Sequence, residues 1–352
     1  VSTPEPADRP LNPRPLNPRP LNVALAMAAD VGQKVFPPQR LATITEPLRL
    51  LSPEPLTEFN SPGARALLAE ADVLLTGWGS PMIDGAVLDA APRLRYILHA
   101  GGSVKHHVGA ECWERGVQVS TAADANAIPV AEYTLAMILL ANKRVLQIAR
   151  ELHGARAAVD PEGLFPDMGN YGKRVGIIGA SKIGRHVIRL LAPYELEVVL
   201  ADPFVTPEQA AALGVQLVGL EELVATSDVV SLHAPSLPAT RNMFDAGMVA
   251  RLRPGATFIN TSRGELVDQE ALLRRLEQGD IFAVLDVTTP WVLPADSGFY
   301  TNPNVLLTPH LAGSLGTELE RLAASAIDEA YRAARGEALR FGVKAEELEF
   351  TA

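Results

Sequence analysis

The stretch VGIIGASKIG, residues 175–184, decides how this chain is read. Val175, Ile177 and Ile178 are β-branched and form a short apolar run that suits a buried strand. Gly179, Ser181 and Gly184 then occupy the G-x-G-x-x-G positions, with serine in the middle slot, and a helical pattern follows. A strand–turn–helix of this kind offers the N–H groups of a helix N-terminus to an anion. The middle glycine ordinarily lets backbone approach a pyrophosphate, whereas Ser181 adds a Cβ and a hydroxyl donor. A tight turn with no ligand is the competing reading of the motif alone. Asp202 strengthens the nucleotide reading. It ends the next strand candidate, EVVLAD, 18 residues after Gly184, where a carboxylate can accept both ribose hydroxyls. The same charge repels a 2′-phosphate and no arginine follows at once, so NAD is expected over NADP. A turn aspartate ahead of Pro203 is the alternative for this residue.

Working outward, the pattern repeats in both directions. KRVGIIGA, EVVLAD, VQLV, DVVSLHAP, ATFINTS, FAVLDV and NVLLTPH make seven strand candidates separated by helical stretches. Upstream, VALAM from Val23, ADVLLTG, RYILHAGG and VQVSTA form a second alternating series. Such alternation predicts α/β architecture, parallel sheets with helices on their faces. In TPEQAAALG, Thr206 suits a helix N-cap, Pro207 the first helical position and Gly214 the C-terminal stop. Residues 128–152, IPVAEYTLAMILLANKRVLQIAREL, read as one long helix with Pro129 in its first turn. The first half is apolar nearly all round, which predicts burial against a second subunit, a homodimer. A final helix, SLGTELERLAASAIDEAYRAARG, leads to a short tail that could return to the first series.

Composition bounds the function. At 352 residues the chain exceeds one ordinary hydrophobic core, so two domains are expected. The apolar run YTLAMILLA is too short to cross a bilayer, and no membrane segment is expected. One cysteine and no apolar secretory segment at the start point to the cytoplasm. A net charge of −10 argues against nucleic acid as a partner. The repeated LNPRP pentamer reads as a disordered, proline-rich tail over residues 1–21, with a docking peptide as the alternative. His99, His106 and His107 in HAGGSVKHH lack the Cys or carboxylate that would complete a ligand set, so no metal is expected. His99 reads as a structural histidine or, beside the glycines, as a substrate contact.

Five motifs in order, ANAIPVAEYTLA, GASKIGR, LHAPSLPATR, INTSRGELVD and LLTPHLAGS, resemble the NAD-dependent D-2-hydroxyacid dehydrogenase family from about Leu21 onward. The resemblance implies a Rossmann-type nucleotide domain, residues 126–310, inserted into a flavodoxin-like substrate domain made of residues 22–125 plus 311–352. Catalysis would occur in the cleft. It also implies roles by position. Arg263 matches the arginine that holds the substrate's carboxylate and carbonyl, and His310 matches the acid/base. Gly101, Gly102 and Ser103 match the loop whose amides receive the carboxylate. Gly179, Ser181, Lys182, Ile183, Gly184, Asp202, His233, Thr261, Ser262, Asp286 and Gly313 match cofactor positions. The chemistry suits those roles: guanidinium is a permanent bidentate fork for a carboxylate, and imidazole can give a proton as hydride arrives. Singly, Arg263 could also be a surface ion pair and His310 a capping or core histidine.

One position departs from the pattern. The family pairs its histidine with a glutamate in a segment resembling DVxxPEPLPADS, and here LDVTTPWVLPADS aligns without a gap, placing Trp291 on the glutamate and Val292 on the following proline. Indole N–H only donates and carries no charge, so Trp291 is expected to leave His310 unpaired and to favour neutral imidazole. Glu265 is the nearby carboxylate that could compensate, or else a solvated loop residue. The expectation is an oxidoreductase for a small 2-oxoacid or D-2-hydroxyacid, with reduced activity. Two alternatives stay open: an NAD(H)-binding protein acting through conformation or partners, and hydride transfer without a proton shuttle, as in the family's formate dehydrogenases.

Overall fold

The structure is a computed structural model that describes residues 19–349, so most of the tail expected over residues 1–21 lies outside the described residues. From Arg19 the chain is held in place. The Arg19 guanidinium donates two hydrogen bonds to Asp72, at 2.7 and 2.8 Å, and Leu21 already opens the first strand.

Thirteen strands follow in the described residues: β1 (Leu21–Ala26), β2 (Leu48–Leu50), β3 (Val73–Thr76), β4 (Tyr96–His99), β5 (Gln118–Thr121), β6 (Arg174–Ile178), β7 (Glu197–Ala201), β8 (Gln216–Leu217), β9 (Val229–Leu232), β10 (Thr257–Asn260), β11 (Phe282–Leu285), β12 (Val305–Leu307) and β13 (Gly342–Val343). They belong to two compact units, one running to Ala123 and resuming over Leu319–Ala345, the other spanning Asp124–Glu318. The return to the first unit falls at Leu319 rather than at the expected 311. Two side chains of the second unit, Asp286 and Asn126, hold the backbone N–H groups of Leu311, Ala312 and Ser314.

The first unit's sheet has the order β13-β5-β4-β3-β1-β2, a parallel flavodoxin-like arrangement with β13 antiparallel at the edge. β1, β3 and β4 are buried along their whole length, which explains their nearly unbroken apolar sequences. β2 and β13, at three and two residues, are too short to show a period and were not legible in the sequence. Glu329, 2% exposed, secures the approach to β13 by accepting from the backbone N–H of Arg340 and Phe341.

The second unit's sheet has the order β12-β11-β10-β9-β6-β7-β8, parallel throughout, and contains all seven expected strands. Strand order reverses between β6 and β9, so the crevice at their carboxyl ends is where such sheets take ligands. One core packs Phe244 and Phe258, stacked at 4.3 Å, on one face; Val175, Ile177, Val187 and Leu191 fill the other. Thr206 caps its helix as expected and forms a reciprocal capping box with Gln209.

The single helix expected over 128–152 is two helices, Ala123–Asn142 and Val145–Ala155. Arg144 separates them with a left-handed φ of 54°. Its buried guanidinium donates to Gly255 O and lies 4.5 Å from the centre of the Phe282 ring, and holding it there bends the chain out of helix. Pro129 is likewise inside the first helix rather than in its first turn. Ala123–Asn126 begin the helix without any apolar periodicity to announce it.

Candidate active site

The turn after β6 has the shape the motif requires. Gly179 takes a φ of +93°, and Ser181 caps the helix Lys182–Leu191, its Oγ accepting from Gly184 N at 3.3 Å. A Cβ on Gly184 would stand 2.1 Å from Gly179 O, so only glycine permits this approach of helix to strand. Asp202, at the end of β7, accepts from Ala180 N at 2.7 Å and Phe204 N at 2.8 Å. Each carboxylate oxygen keeps a further lone pair for a ligand hydroxyl. Lys182 is exposed and ion-paired with Asp124, and Ile183 is half-buried on the same turn. His233 lies beneath it, 2% exposed, with Nε2 bonded to Ser231 Oγ at 2.8 Å and Nδ1 unpartnered among the described residues. Burial pushes its pKa down to about 3, so it is neutral.

Arg263 follows β10 in a rigid loop. Asn260 Oδ1 accepts from Ser262 N at 2.9 Å while its amide donates to Arg263 O at 2.9 Å, and Ser262 Oγ donates to Leu232 O at 2.6 Å. Thr261 is buried against Thr134, hydroxyl to hydroxyl at 3.2 Å. The Arg263 guanidinium donates to Ser262 O at 2.7 Å, and among the described residues it has no salt-bridge partner. Desolvation lowers its pKa, opposed by Glu265. A partly buried cation without an ion pair is the arrangement of an anion site. Glu265 itself is exposed and accepts from Ser236 Oγ. The carboxylate that acts on His310 is not Glu265 but Asp286.

Asp286, at the end of β11 and 1% exposed, organises the loop after β12. Its Oδ1 accepts from Thr308 Oγ1 at 2.7 Å and Leu311 N at 2.8 Å, and its Oδ2 accepts from Ala312 N at 3.0 Å. Tyr133 OH lies 3.0 Å from Thr308 Oγ1, and since Thr308 donates to Asp286, the phenol donates to Thr308. Asn126 Oδ1 accepts from Ser314 N at 3.0 Å beside Gly313. These bonds hold His310 at a left-handed φ of 54°, which an unconstrained histidine rarely adopts. Asn126, Tyr133 and Thr308 were not singled out from the sequence, although all three stand in motifs quoted above. Asp286, expected at the cofactor, also accepts these three bonds from the loop that carries His310.

Trp291 lies on His310, ring centroids 4.5 Å apart and planes inclined by 26°. The indole is nevertheless 66% exposed, so it covers the imidazole with one side only. Among the described residues, His310 Nδ1 is buried without a hydrogen-bond partner. Desolvation lowers the His310 pKa, with Asp286 raising it and Arg263 lowering it. Gly264 brings the two loops together: a Cβ there would stand 2.2 Å from the Thr288 carbonyl carbon, so the chain leading to Trp291 passes directly over the residue after Arg263.

In the first unit, Gly101, Gly102 and Ser103 follow β4. His99 is 2% exposed beneath them, its Nδ1 3.0 Å from Thr76 Oγ1, which also meets His107 Nε2 at 3.2 Å. His99 and His107 stand 4.5 Å apart and are pushed down to about 3 and about 4, chiefly by burial. His99 is therefore a structural histidine of the sheet end. Among the described residues no three His, Cys, Asp or Glu side chains gather as a metal site, and no helix is long and apolar enough to cross a membrane.

Residues 135–312 match the family described as D-isomer specific 2-hydroxyacid dehydrogenase, NAD binding domain. The chain belongs to that family, and the second unit is its NAD-binding domain. The D-3-phosphoglycerate dehydrogenase of Mycobacterium leprae is 32% identical over 275 residues, covering 77% of this chain and 51% of that one; the chain spans about half the length of the curated relatives it matches. Among solved structures, the TT0316 protein of Thermus thermophilus is similar with a TM-score of 0.72 and 29% identity, over 92% of this chain and 100% of that chain. A Granulicella formate dehydrogenase is similar with a TM-score of 0.63 and 26% identity, over 80% of this chain and 76% of that chain.

The turn after β6 fits the cofactor: the glycine close approach, the N-terminus of the Lys182 helix and the Asp202 carboxylate are the groups a dinucleotide needs.

Proposed function

We propose that the chain is an oxidoreductase that interconverts a small 2-oxoacid and its D-2-hydroxyacid with NAD(H). The carrying observation is the partly buried Arg263 guanidinium, held by its loop without an ion-pair partner among the described residues and electrostatically coupled to His310. Arg263 binds the carboxylate and carbonyl of the acid, and Gly101, Gly102 and Ser103 supply backbone N–H groups to the carboxylate. His310 gives a proton to the carbonyl oxygen during reduction and takes it back during oxidation. NAD, when bound, supplies or accepts the hydride. Gly179, Ser181, Lys182, Ile183 and Gly184 hold its pyrophosphate, and Asp202 holds its ribose. His233, Thr261, Ser262, Asp286 and Gly313 line the remainder, and Asp286 also holds the His310 loop.

In this reading the second unit serves the cofactor and the first the substrate. The chain works in the cytoplasm as a homodimer, through the helices that expose Leu140, Val145 and Leu152. In this reading Trp291 stands where the family resemblance puts the histidine's glutamate, and turnover is correspondingly reduced. The test is a panel of 2-oxoacids with NADH, for wild type, Arg263→Lys and His310→Ala. The reading requires oxidation of NADH that both substitutions diminish.

The unpartnered Nδ1 of His310 under an indole favours a second reading, an NAD(H)-binding protein with vestigial turnover that acts through conformation or partners. NADH binding with no His310-dependent turnover would select it. Formate oxidation independent of His310 would select the third, hydride transfer without a proton shuttle.

A further inference from the structure

Trp291 is largely exposed, yet it lies on His310. Stacking of two rings is a weak force, and an exposed indole gains rotamer freedom by leaving. The stack therefore depends on how firmly the backbone beneath the indole is fixed. The strap that carries Trp291 is pinned at both ends. On the amino side the Thr288–Thr289 peptide rests on Gly264, where a Cβ would stand 2.2 Å from the Thr288 carbonyl carbon. The side chain of Gln269 takes both polar groups of Thr289: its Oε1 accepts from Thr289 N at 3.0 Å and its Nε2 donates to Thr289 O. A carboxamide suits this task because it carries donor and acceptor side by side, whereas a carboxylate would lose the donor. Gln269 is itself held, as the first residue of the helix Gln269–Leu276, whose N-cap Asp268 accepts from Ala271 N at 2.9 Å. The Thr288 hydroxyl closes the turn by sharing its hydrogen between Pro290 O at 2.9 Å and Trp291 O at 3.1 Å. On the carboxyl side Leu293 is buried in the core of the second sheet. Pro290, Trp291 and Val292 are left between the pins, and the indole is set down on the imidazole.

We propose that Gln269 and Thr288 are positioning residues that clamp the strap 288–293, keep Trp291 on His310, and thereby govern how much water reaches the imidazole. They act through Trp291. The charged groups that act on His310 are Asp286, from the end of β11, and Arg263, from the loop after β10, on which Glu265 acts in turn. None of these belongs to the clamp, so releasing the strap hydrates His310 while its charged surroundings stay in place. Water favours imidazolium, and the ring then titrates higher. The catalytic meaning of the clamp rests on the reductase reading above; the clamp itself does not.

The test follows the imidazole directly. His310 is titrated by NMR in protein labelled at its seven histidines and assigned with His310→Gln. Wild type, Trp291→Ala, Gln269→Met, Thr288→Val and Gln278→Met are compared, with melting curves to show that each is folded. Met and Val keep the size of the side chains they replace and remove their hydrogen bonds. Gln278, an exposed glutamine beyond the other end of the same helix, serves as control. Trp291→Ala should raise the His310 pKa from its lowered value toward about 6.5. Gln269→Met should reproduce most of that rise and Thr288→Val part of it, while Gln278→Met should leave the titration unchanged. A Gln269→Met protein that melts lower but titrates as wild type has lost only stability and overturns the proposal. An unchanged His310 pKa in Trp291→Ala overturns it as well. Should Gln269→Met fail to fold, Thr288→Val decides by the same criterion. Pyruvate, phenylpyruvate and 3-phosphohydroxypyruvate are then assayed with NADH, and for the fastest the midpoint of kcat/KM against pH should move with the NMR pKa in each variant. A pKa that moves as expected without turnover of any of the three supports the clamp while sinking the reductase reading. Turnover that depends on His310 but ignores Gln269 in both rate profile and pKa does the reverse.

Discussion

Trp291 and His310 form a stacked pair, 4.5 Å between ring centroids, in which the indole shields an imidazole whose Nδ1 has no partner among the described residues. A carboxylate at this position would stabilise imidazolium; an indole removes water without supplying charge. The structure thus lowers the His310 pKa, and desolvation is the largest cause.

Reduction needs imidazolium, so its rate should rise as pH falls from neutrality through the lowered pKa of His310. Trp291→Glu should raise that pKa and move the reductive optimum upward. It should also increase kcat/KM near pH 7.5, by roughly 10²-fold if general acid catalysis is restored. Rate profiles against pH for the two proteins and His310→Ala decide it. A wild-type profile that is flat across pH 5–8 and already fast would remove Trp291 from the explanation.

Asp286→Asn should be more damaging than its small change in shape suggests. The side-chain amide must turn its NH₂ toward a backbone N–H or toward the Thr308 hydroxyl, so at least one buried bond to the 308–312 loop is lost. A stability loss of about 1–3 kcal/mol is expected, together with a fall in kcat larger than any change in NADH affinity. Urea unfolding and NADH titration separate the two effects. Unchanged kcat would show that the His310 conformation does not depend on this clamp.

Asp202→Ala should weaken NADH by about tenfold, roughly 1.4 kcal/mol, and leave NADPH nearly unaffected, so the preference narrows. Fluorescence titration with both cofactors measures it. Equal loss for both would mean that Asp202 acts through the Ala180 and Phe204 backbone rather than through the ribose.

Acid should destabilise the protein before its carboxylates titrate. His99, His107 and His233 are neutral when folded, with pKa values pushed down to about 3, about 4 and about 3, while an unfolded histidine titrates near 6.5. Below 6.5 the unfolded chain binds protons that the folded one refuses. The stability these groups contribute is therefore full above pH 6.5 and is lost as pH falls toward 4. Each proton adds a slope of about 1.4 kcal/mol per pH unit. Thermal melts from pH 7.5 to 4.5 should show it, and His107→Gln should flatten the response. A melting temperature constant over that range would refute the assignment.

The two helices either side of Arg144 should carry a dimer contact, since the second buries no residue of its own and leaves Val145 and Leu152 exposed. Leu152→Lys should shift sedimentation from dimer to monomer. A wild type that sediments as a monomer at micromolar concentration contradicts the homodimer.

Local patterns in the sequence determined a great deal. Alternation of apolar runs with helical stretches specified the strands of the second sheet, most legibly β9, β10 and β11, which are buried throughout, because burial leaves its mark on consecutive residues. Gly179, Ser181 and Gly184 specified the cofactor turn because backbone geometry there depends on residue type alone. What depended on distant partners was decided by tertiary structure. The helix breaks at Arg144 because its guanidinium is buried against Gly255 and Phe282, and nothing in the neighbouring residues signals that. That Asp286 clamps the loop after β12 with both its oxygens is likewise a matter of the fold, since the residues it holds lie more than twenty positions away. The absence of a carboxylate at Trp291 was visible in the alignment of residue types. That the indole stacks on His310 while staying largely exposed was not, since stacking depends on how the loops after β11 and β12, two adjacent strands, are brought together in the fold.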